Sequence, residues 1–150
     1  MGNRRPHALI DTNVWISAFI NPQGAPARVL RAYALGQFQL IISPPLLDEF
    51  RDVFSRPRIQ RRLRSIESDI SAFLQYVDIH ATEVFPVGAL HICRDPKDDI
   101  VLETAILGEA QFIISRDDDI KRDLDLIAHL CANGVEVVSV AQFLALLDEP

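Results

Sequence analysis

The chain has 150 residues, the usual length of one domain, and 49% of them are apolar and 24% charged. We expect an ordinary hydrophobic core from this composition, and no apolar run approaches the ~20 residues that span a bilayer. The formal net charge of −6 argues against a general nucleic-acid-binding protein, because such proteins usually carry a basic surface.

The N-terminal residues carry no complete acylation or export signal. Pro6 stands where an acylation motif needs Ser or Thr, and Asp11 interrupts the apolar stretch that an export signal would need. We therefore predict a disordered lead-in over 1–6, one domain over 7–150, a cytoplasmic location and no membrane association. The two cysteines and four histidines form no metal-binding pattern, so any metal must be held by oxygen.

Two strand–helix units are predicted in the first half of the chain. The apolar run His7 to Ile10 predicts a strand, and Thr12 can cap a helix that begins near Val14. Ser43 is a good N-cap for a later helix, whose first turn accommodates the two following prolines. The remaining predictions here are a strand over 39–42 and helices over 25–35, 46–54, 57–64 and 67–77.

The second half continues the alternation. Residues 82–97 are predicted to be a loop, and an acidic turn is predicted over 116–119. Around them we predict helices over 98–109, 120–130 and 142–147 and strands over 112–114 and 136–139. Alternating strands and helices predict an α/β fold with three layers, in which helices flank a central parallel sheet of about four to five strands.

Carboxylates follow two of the predicted strands directly. Asp11 comes after the strand over 7–10, and Asp117 comes shortly after the strand over 112–114. Sites in open parallel sheets form beyond the carboxyl ends of the strands. If both strands are central, the two acids lie at the same edge of the sheet.

Two helices can add further acids to that edge. Glu49 lies at the border of the apolar face of its helix, at about 100° per residue. Asp98 precedes the apolar Leu102 by four positions and Asp99 precedes it by three, so either can border the inward stripe. Helix N-termini favour anions, which helps to keep either carboxylate charged.

Four clustered carboxylates repel one another unless cations neutralise them. Ligation by oxygen alone suits Mg²⁺ or Mn²⁺. Mg²⁺ takes one or two carboxylates, several waters and substrate phosphate oxygens, which is the arrangement needed to cut a phosphodiester. Each acid taken singly is explained equally well as a helix cap or a surface charge; their joint placement at one edge favours a metal site.

Four segments, in chain order, resemble the motifs of PIN domains. Leu9-Ile10-Asp11-Thr12-Asn13-Val14 resembles the opening strand with the first metal ligand. The segment 43–49 resembles the one that carries the second acid, here Glu49. The segments 94–105 and 112–119 resemble the third and fourth acid motifs. The resemblance extends from about residue 8 to the last helix.

Among PIN domains, the sequence most resembles toxins of bacterial toxin–antitoxin pairs. The resemblance implies an endoribonuclease that depends on Mg²⁺ or Mn²⁺, is held inactive by a cognate antitoxin protein, and often forms a homodimer. It implies catalytic metal ligands at Asp11, Glu49, Asp98 and Asp117. Asn13 would support Asp11, and Ser115 would stand beside the metal where the family more often has Thr.

Two of these assignments stay open in the sequence. Counting along the helix favours Asp98 as the third acid, whereas counting across the following loop favours Asp99. Asp117 is nearer the strand end than Asp119, which is the other candidate for the fourth acid. Glu103 lies about one helical turn beyond Asp99, from where it can reach a metal.

Charge is distributed unevenly along the chain. Residues 51–64 hold six arginines against one acid, whereas residues 95–125 hold ten acids against four bases. A solvated helical face explains such a basic strip, but arginine also suits planar contacts to phosphate or carboxylate. We predict that the strip binds the RNA backbone or an acidic antitoxin segment, through Arg51, Arg58, Arg61 and Arg62.

Other activities fit the residues less well. An aspartyl-phosphate phosphatase needs a second Asp where Asn13 stands, and a P-loop enzyme needs a GxxxxGK motif that is missing. A receiver-like module needs a suitably placed Lys, and the chain has only Lys97 and Lys121. The remaining alternatives are a PIN-fold RNA- or protein-binding module without significant nuclease activity, and a DNA-cutting relative.

Overall fold

The computed structural model describes residues 4–64, 67–93, 95–116 and 124–149. Five strands form one sheet in the order β3-β2-β1-β4-β5. The strands are β1 His7–Ile10, β2 Gln39–Ile42, β3 Thr82–Glu83, β4 Phe112–Ile114 and β5 Glu136–Val138. The helices of the described part are α1 Thr12–Ile20, α2 Ala25–Ala34, α3 Pro44–Ser55, α4 Pro57–Gln60, α5 Glu67–His80, α6 Pro96–Leu107, α7 Leu124–Ala132 and α8 Val140–Asp148.

Every strand pair in this sheet is parallel. Ala8 in the central strand β1 stands opposite Leu40 in β2 and Phe112 in β4. Parallel strands need long crossover connections, which is why helices separate them along the chain. All five carboxyl ends therefore lie at one edge, which we call the carboxyl edge. The predicted three-layer α/β fold with a parallel sheet is confirmed.

Both faces of the sheet are buried. Ala8 and Ile10 pack in one hydrophobic cluster, while Leu9 between them packs in the other. The same alternation separates Ile41 from its neighbours in β2 and Ile113 from Ile114 in β4. Successive side chains of a strand point to opposite faces, so a sheet covered on both sides needs continuous apolar runs.

An aromatic cluster aligns α1 with α3. The ring of Trp15 lies 5.3 Å from that of Phe50, and the ring of Phe19 lies 6.1 Å from that of Phe54. The indole N–H of Trp15 donates to the carbonyl of Ile10 at 3.1 Å, which ties the cluster to the end of β1. The first turns of α1 and α3 are thereby held next to the carboxyl edge.

Some predicted element boundaries were wrong. The first helix begins at Thr12, so Asp11 and not Thr12 takes the N-cap position. Helix α6 begins at Pro96, before the predicted residue 98, because the Asp95 carboxylate accepts from the Lys97 N–H at 3.0 Å and caps the helix. The predicted loop over 82–97 contains β3, a strand of two residues that is too short to show a periodic pattern.

Two other helices also differ from their predicted bounds: α4 ends at Gln60 and α5 continues to His80.

The predicted lead-in over 1–6 lies partly outside the described residues. Within the described part, the Arg5 side chain donates to the Gly36 carbonyl at 3.3 Å, and the Pro6 carbonyl accepts from the Gln39 N–H at 2.8 Å. None of the described helices combines the length and apolar character needed to cross a bilayer.

The Tyr33 hydroxyl is a testable feature of the core. Among the described residues it is the buried side-chain polar atom without a hydrogen-bond partner, in a residue only 2% exposed. We expect Tyr33→Phe to raise the free energy of unfolding by about 1 kcal/mol at neutral pH, because a buried hydroxyl without a partner is destabilising. Urea denaturation measures this difference. A less stable variant would show that the hydroxyl does have a partner.

The same variant has a predicted signature at alkaline pH. Burial, then the nearby charge of Tyr76, raises the pKa of Tyr33 from 10.0 to about 12, although Arg5 opposes the shift. A raised pKa means that the folded state holds the proton more tightly. Proton binding to Tyr33 therefore favours the folded state. This contribution to the free energy of unfolding is fully present below pH 10 and is lost as the pH rises through about 12. Tyr33→Phe should therefore lose less stability over this interval than the parent.

Candidate active site

Asp11 lies at the centre of the carboxyl edge. Its backbone N–H donates to the carbonyl of Ile114 at 2.9 Å, which extends the pairing of β1 with β4 by one residue. The hydroxyl of Ser115 donates to Oδ2 of Asp11 at 3.1 Å. Ser115 is fully buried and its own N–H is bonded to the carbonyl of Val138. The Asp11 carboxylate is thus oriented by a hydroxyl that is itself fixed in the sheet.

Glu49 reaches this edge from α3. The hydroxyl of Thr12 donates to Oε2 of Glu49 at 3.4 Å, so the residue next to Asp11 holds the second carboxylate. Thr12 is buried and Glu49 is half-buried. The neighbouring Asp48 is exposed and lies 3.7 Å from Arg51, on the outer side of the helix. The prediction that Glu49, and not Asp48, faces inward agrees with this arrangement.

Asn13 was predicted to support Asp11. The structure places Asn13 in the first turn of α1 as an exposed residue, and its backbone carbonyl accepts from the Ser17 hydroxyl at 2.9 Å. The hydroxyl that the structure brings onto Asp11 comes from Ser115.

Helix α6 covers the face of the sheet on which Asp11 lies. Strand residues two apart share a face, and Leu9, two residues before Asp11, packs against α6 residues in the second hydrophobic cluster. The hydroxyls of Thr104 and of Ser43, just beyond β2, are hydrogen-bonded to each other at 2.9 Å. Since α6 ends near the start of β4, its N-terminal turns extend past the carboxyl edge.

Asp98 lies in those N-terminal turns. It is half-buried, and it precedes the fully buried Leu102 by one helical turn. Residues four apart on a helix share a face, so Asp98 belongs to the stripe that packs on the sheet. Asp98 therefore lies in the first turn of α6, on the helix face that packs on the sheet.

Asp99 lies on a different face of α6 and is engaged by the backbone. Its Oδ1 accepts from the N–H groups of Ile92 at 2.9 Å and Cys93 at 2.8 Å, and the residue is 7% exposed. Burial by itself raises the pKa of this carboxyl, but the hydrogen bonds from Cys93 and Ile92, together with the nearby His91, outweigh it and lower the pKa below 3.8. Asp99 is a charged anchor for the preceding segment.

Glu103, one turn after Asp99, anchors the same segment. Its carboxylate accepts from the N–H groups of Val87 and Gly88 at 3.0 Å each and of Ala89 at 3.4 Å. We call residues 84–93 the anchored loop. A signal for this role existed in the sequence, because a spacing of four puts Asp99 and Glu103 on one helix face. The loop N–H groups that meet them are set by the tertiary fold and were not predictable.

Most of the basic strip lies beyond the C-terminal end of α3, although Arg51 lies within the helix, two residues after Glu49. Arg56 follows the last residue of that helix, about 10 Å along the helix axis from Glu49. The N–H of Arg64 donates to the carbonyl of Phe19 near the end of α1. The side chains predicted to bind RNA or an antitoxin are all exposed: Arg51, Arg58, Arg61 and Arg62.

The carboxyl edge presents oxygen atoms to which a divalent cation can bind. Within the described residues no group of three or more His, Cys, Asp or Glu side chains is close enough to hold a metal ion. Asp117 and Asp119, the predicted fourth acid and its alternative, lie outside the described residues. The groups that meet at the edge are carboxylate and hydroxyl oxygens, and this donor chemistry fits Mg²⁺ or Mn²⁺.

Comparisons with known proteins agree with this architecture. Residues 7–119 match the family model of the PIN domain. An uncharacterized protein of Methanocaldococcus jannaschii is 29% identical over 129 residues, which cover 86% of this chain and 82% of that protein. The matched range contains the four strands β1 to β4 and the helices that carry Glu49 and Asp98. The chain therefore belongs to the PIN-domain family, whose members are in general nucleases.

Proposed function

We propose that this protein is an endoribonuclease that hydrolyses RNA phosphodiesters with Mg²⁺ or Mn²⁺ at the carboxyl edge of its sheet. The observation that carries the proposal is the pair of oriented carboxylates there. Asp11 accepts from Ser115, and Glu49 accepts from Thr12, the residue next to Asp11. Hydrogen bonds from these buried hydroxyls restrict the rotamers of both carboxylates, and such orientation of metal ligands favours cation binding.

The proposed ligands are Asp11, Glu49, Asp98 and Asp117. Asp98 is preferred to Asp99 because two backbone N–H groups already occupy Oδ1 of Asp99. Asp117 is preferred to Asp119 because it is nearer the end of β4. When bound, a divalent cation supplies positive charge that polarises the scissile phosphate and favours deprotonation of an attacking water.

Other residues of the chain orient the proposed ligands and bind the RNA. Ser115 and Thr12 fix the rotamers of the two carboxylates by donating hydrogen bonds to them. Burial of these two hydroxyls keeps competing water away from the hydrogen bonds. The basic strip neutralises phosphates of the RNA and positions it without reading its sequence.

The biological setting is a separate part of the proposal. We propose a toxin role with a cognate antitoxin, a homodimeric state and a cytoplasmic location, and the support for these is the family resemblance. Exposed apolar side chains such as Ile79 and Leu124, at 76% and 77% exposure, offer surface for protein partners. Light scattering of the purified protein tests the homodimer directly.

The activity is tested by incubating a mixed-sequence single-stranded RNA, and a DNA of the same sequence, with Mg²⁺, with Mn²⁺ and with EDTA. We expect internal cleavage of the RNA that requires the metal. Preferential cleavage of the DNA would favour the DNA-cutting alternative. A folded protein that binds RNA but cuts neither strand would favour a PIN-fold binding module, and the oriented acids would then need another explanation.

The basic strip gives a further prediction. Replacing Arg61 and Arg62 together with Gln should weaken RNA binding and flatten its dependence on salt. Each lost phosphate contact lowers the slope of log K against log [salt] by about 0.7 on single strands, so about 1.4 is expected. Arg28, which is exposed on α2, provides the matched control Arg28→Gln. An unchanged slope would assign the strip to another partner, such as an acidic antitoxin segment.

A further inference from the structure

We propose that Phe85 is a stacking platform for an unpaired base of the RNA near the scissile phosphate, so that the substrate must be single-stranded there. The inference rests on the proposed ribonuclease function and adds a substrate requirement to it. Three observations support it: the position of Phe85 at the carboxyl edge, its exposure, and the rigidity of the loop that carries it.

The strand register places Phe85 near the acids. Ala8 stands opposite Leu40, and Ile42 stands opposite Glu83. Continuing these registers past the strand ends puts Asp11, Ser43 and Val84 in one row. The N–H of Val84 indeed donates to the carbonyl of Ile42 at 2.9 Å. Two strand spacings separate Asp11 from Val84, about 10 Å between their backbones, and Phe85 is the next residue.

Phe85 is 66% exposed. The protein has eight phenylalanines, all within the described residues, and each of the other seven is buried or half-buried. Most of those contribute to the aromatic cluster between the helices. An exposed aromatic ring beside a cleavage site offers a flat apolar face of the kind on which nucleobases stack.

The backbone on both sides of Phe85 is fixed. Before it, Val84 continues the pairing with β2. After it, Pro86 restricts its own φ, and the Glu103 carboxylate holds the N–H groups of Val87 and Gly88. A side chain presented on a rigid backbone loses little conformational entropy when it binds a ligand, which favours a binding role. Glu103 lies on α6, the helix of Asp98, so the segment that follows Phe85 is bonded to the same helix as the proposed ligand.

The chemistry of the edge favours a base over a protein segment. The acids repel phosphates that no cation covers, so an additional contact with a neutral group of the RNA holds the strand without adding to this repulsion. A stacked base is such a group, and stacking tolerates any sequence because every base has a π face. In a duplex the bases are already stacked on one another, and extruding one costs a few kcal/mol.

The test measures binding of a fluorescent single-stranded RNA in the Asp11→Asn background, which prevents its cleavage. We expect Phe85→Leu to weaken binding about 5- to 150-fold, the range of one base–aromatic stack. Phe85→Trp should keep the affinity of the parent. Leu35→Ala removes an apolar side chain of comparable exposure from another surface and should have no effect on RNA binding.

A series of RNAs with a single abasic nucleotide identifies the partner. One abasic position should weaken binding to the parent as much as Phe85→Leu does, and it should have no further effect on the Phe85→Leu variant. Equal affinity of parent and Phe85→Leu would overturn the inference. So would a dimer that dissociates in Phe85→Leu without any position-specific abasic effect, because Phe85 would then contact a second copy of the chain.

The cleavage assay distinguishes failure of the proposed ribonuclease function from failure of the inference about Phe85. If the parent protein with Asp11 intact does not cut this RNA with Mg²⁺ or Mn²⁺, the ribonuclease proposal fails and the inference falls with it. If the parent cuts the RNA and Phe85→Leu binds it normally, the inference alone is wrong.

Discussion

Asp11→Asn is expected to abolish RNA cleavage while the protein remains folded. Loss of an outer partner of a metal ligand typically costs ~10–100-fold, so loss of a ligand carboxylate at the centre of the site should exceed about 100-fold. The Asn side chain keeps an oxygen that can accept from Ser115 at the position of Oδ2. The free energy of unfolding should therefore change by less than about 1 kcal/mol.

Ser115→Ala is expected to reduce RNA cleavage less than Asp11→Asn does. It removes the hydroxyl that orients Asp11 but leaves the carboxylate, so a loss of about 10- to 100-fold is expected. Initial cleavage rates at several Mg²⁺ concentrations measure both variants, and circular dichroism checks that they fold. If Asp11→Asn cuts RNA at the rate of the parent, cleavage takes place elsewhere and the proposed site is wrong.

Asp98→Asn is expected to lose cleavage activity, whereas Asp99→Asn is expected to lose stability, although the two residues are adjacent. Asp99→Asn replaces a buried carboxylate that accepts from Ile92 and Cys93, and it should lower the free energy of unfolding by about 1–3 kcal/mol. For a chain of this length each kcal/mol lowers Tm by roughly 2–4 °C. Asp98→Asn keeps the shape of a half-buried side chain, so it should lower Tm less than Asp99→Asn does, and it should remove most of the cleavage activity.

Thermal denaturation and cleavage assays on both variants separate the two roles. The cleavage assay is run well below the lower Tm, so that each variant is folded. Glu103→Gln serves as a second anchor variant and should resemble Asp99→Asn, because its carboxylate holds three N–H groups of the anchored loop. If Asp99→Asn instead loses activity at an unchanged Tm, the metal ligand is Asp99 and the proposed assignment is reversed.

The different effects expected for Asp98→Asn and Asp99→Asn follow from the two faces of α6. One stripe of the helix, with Asp98 and Leu102, packs over the sheet, while a second stripe, with Asp99 and Glu103, holds the anchored loop. A single helix thereby links the edge that carries the acids to the loop that presents Phe85. Damage to the anchoring stripe should therefore affect RNA binding through Phe85 as well as stability.

Several elements were predictable because their signals are local. Each of the strands β1, β2 and β4 contains a run of three apolar residues, and the structure has the strands where they were predicted. Their near-continuous apolar character follows from burial on both faces of a parallel sheet. The strand β3 was missed because two residues carry no pattern, and its pairing with β2 depends on where the helices between them return the chain.

The sequence by itself determined the parallel sheet and the position of Asp11 at its carboxyl edge, because alternating strands and helices restrict the topology and the edge follows from it. It also left Asp98 and Asp99 open, since both border one helical stripe. Only the tertiary structure decided that Asp99 is buried and accepts hydrogen bonds from Ile92 and Cys93. The N–H groups that meet Asp99, and the exposure of Phe85, depend on how residues distant in the chain pack together, and no local pattern encodes those contacts.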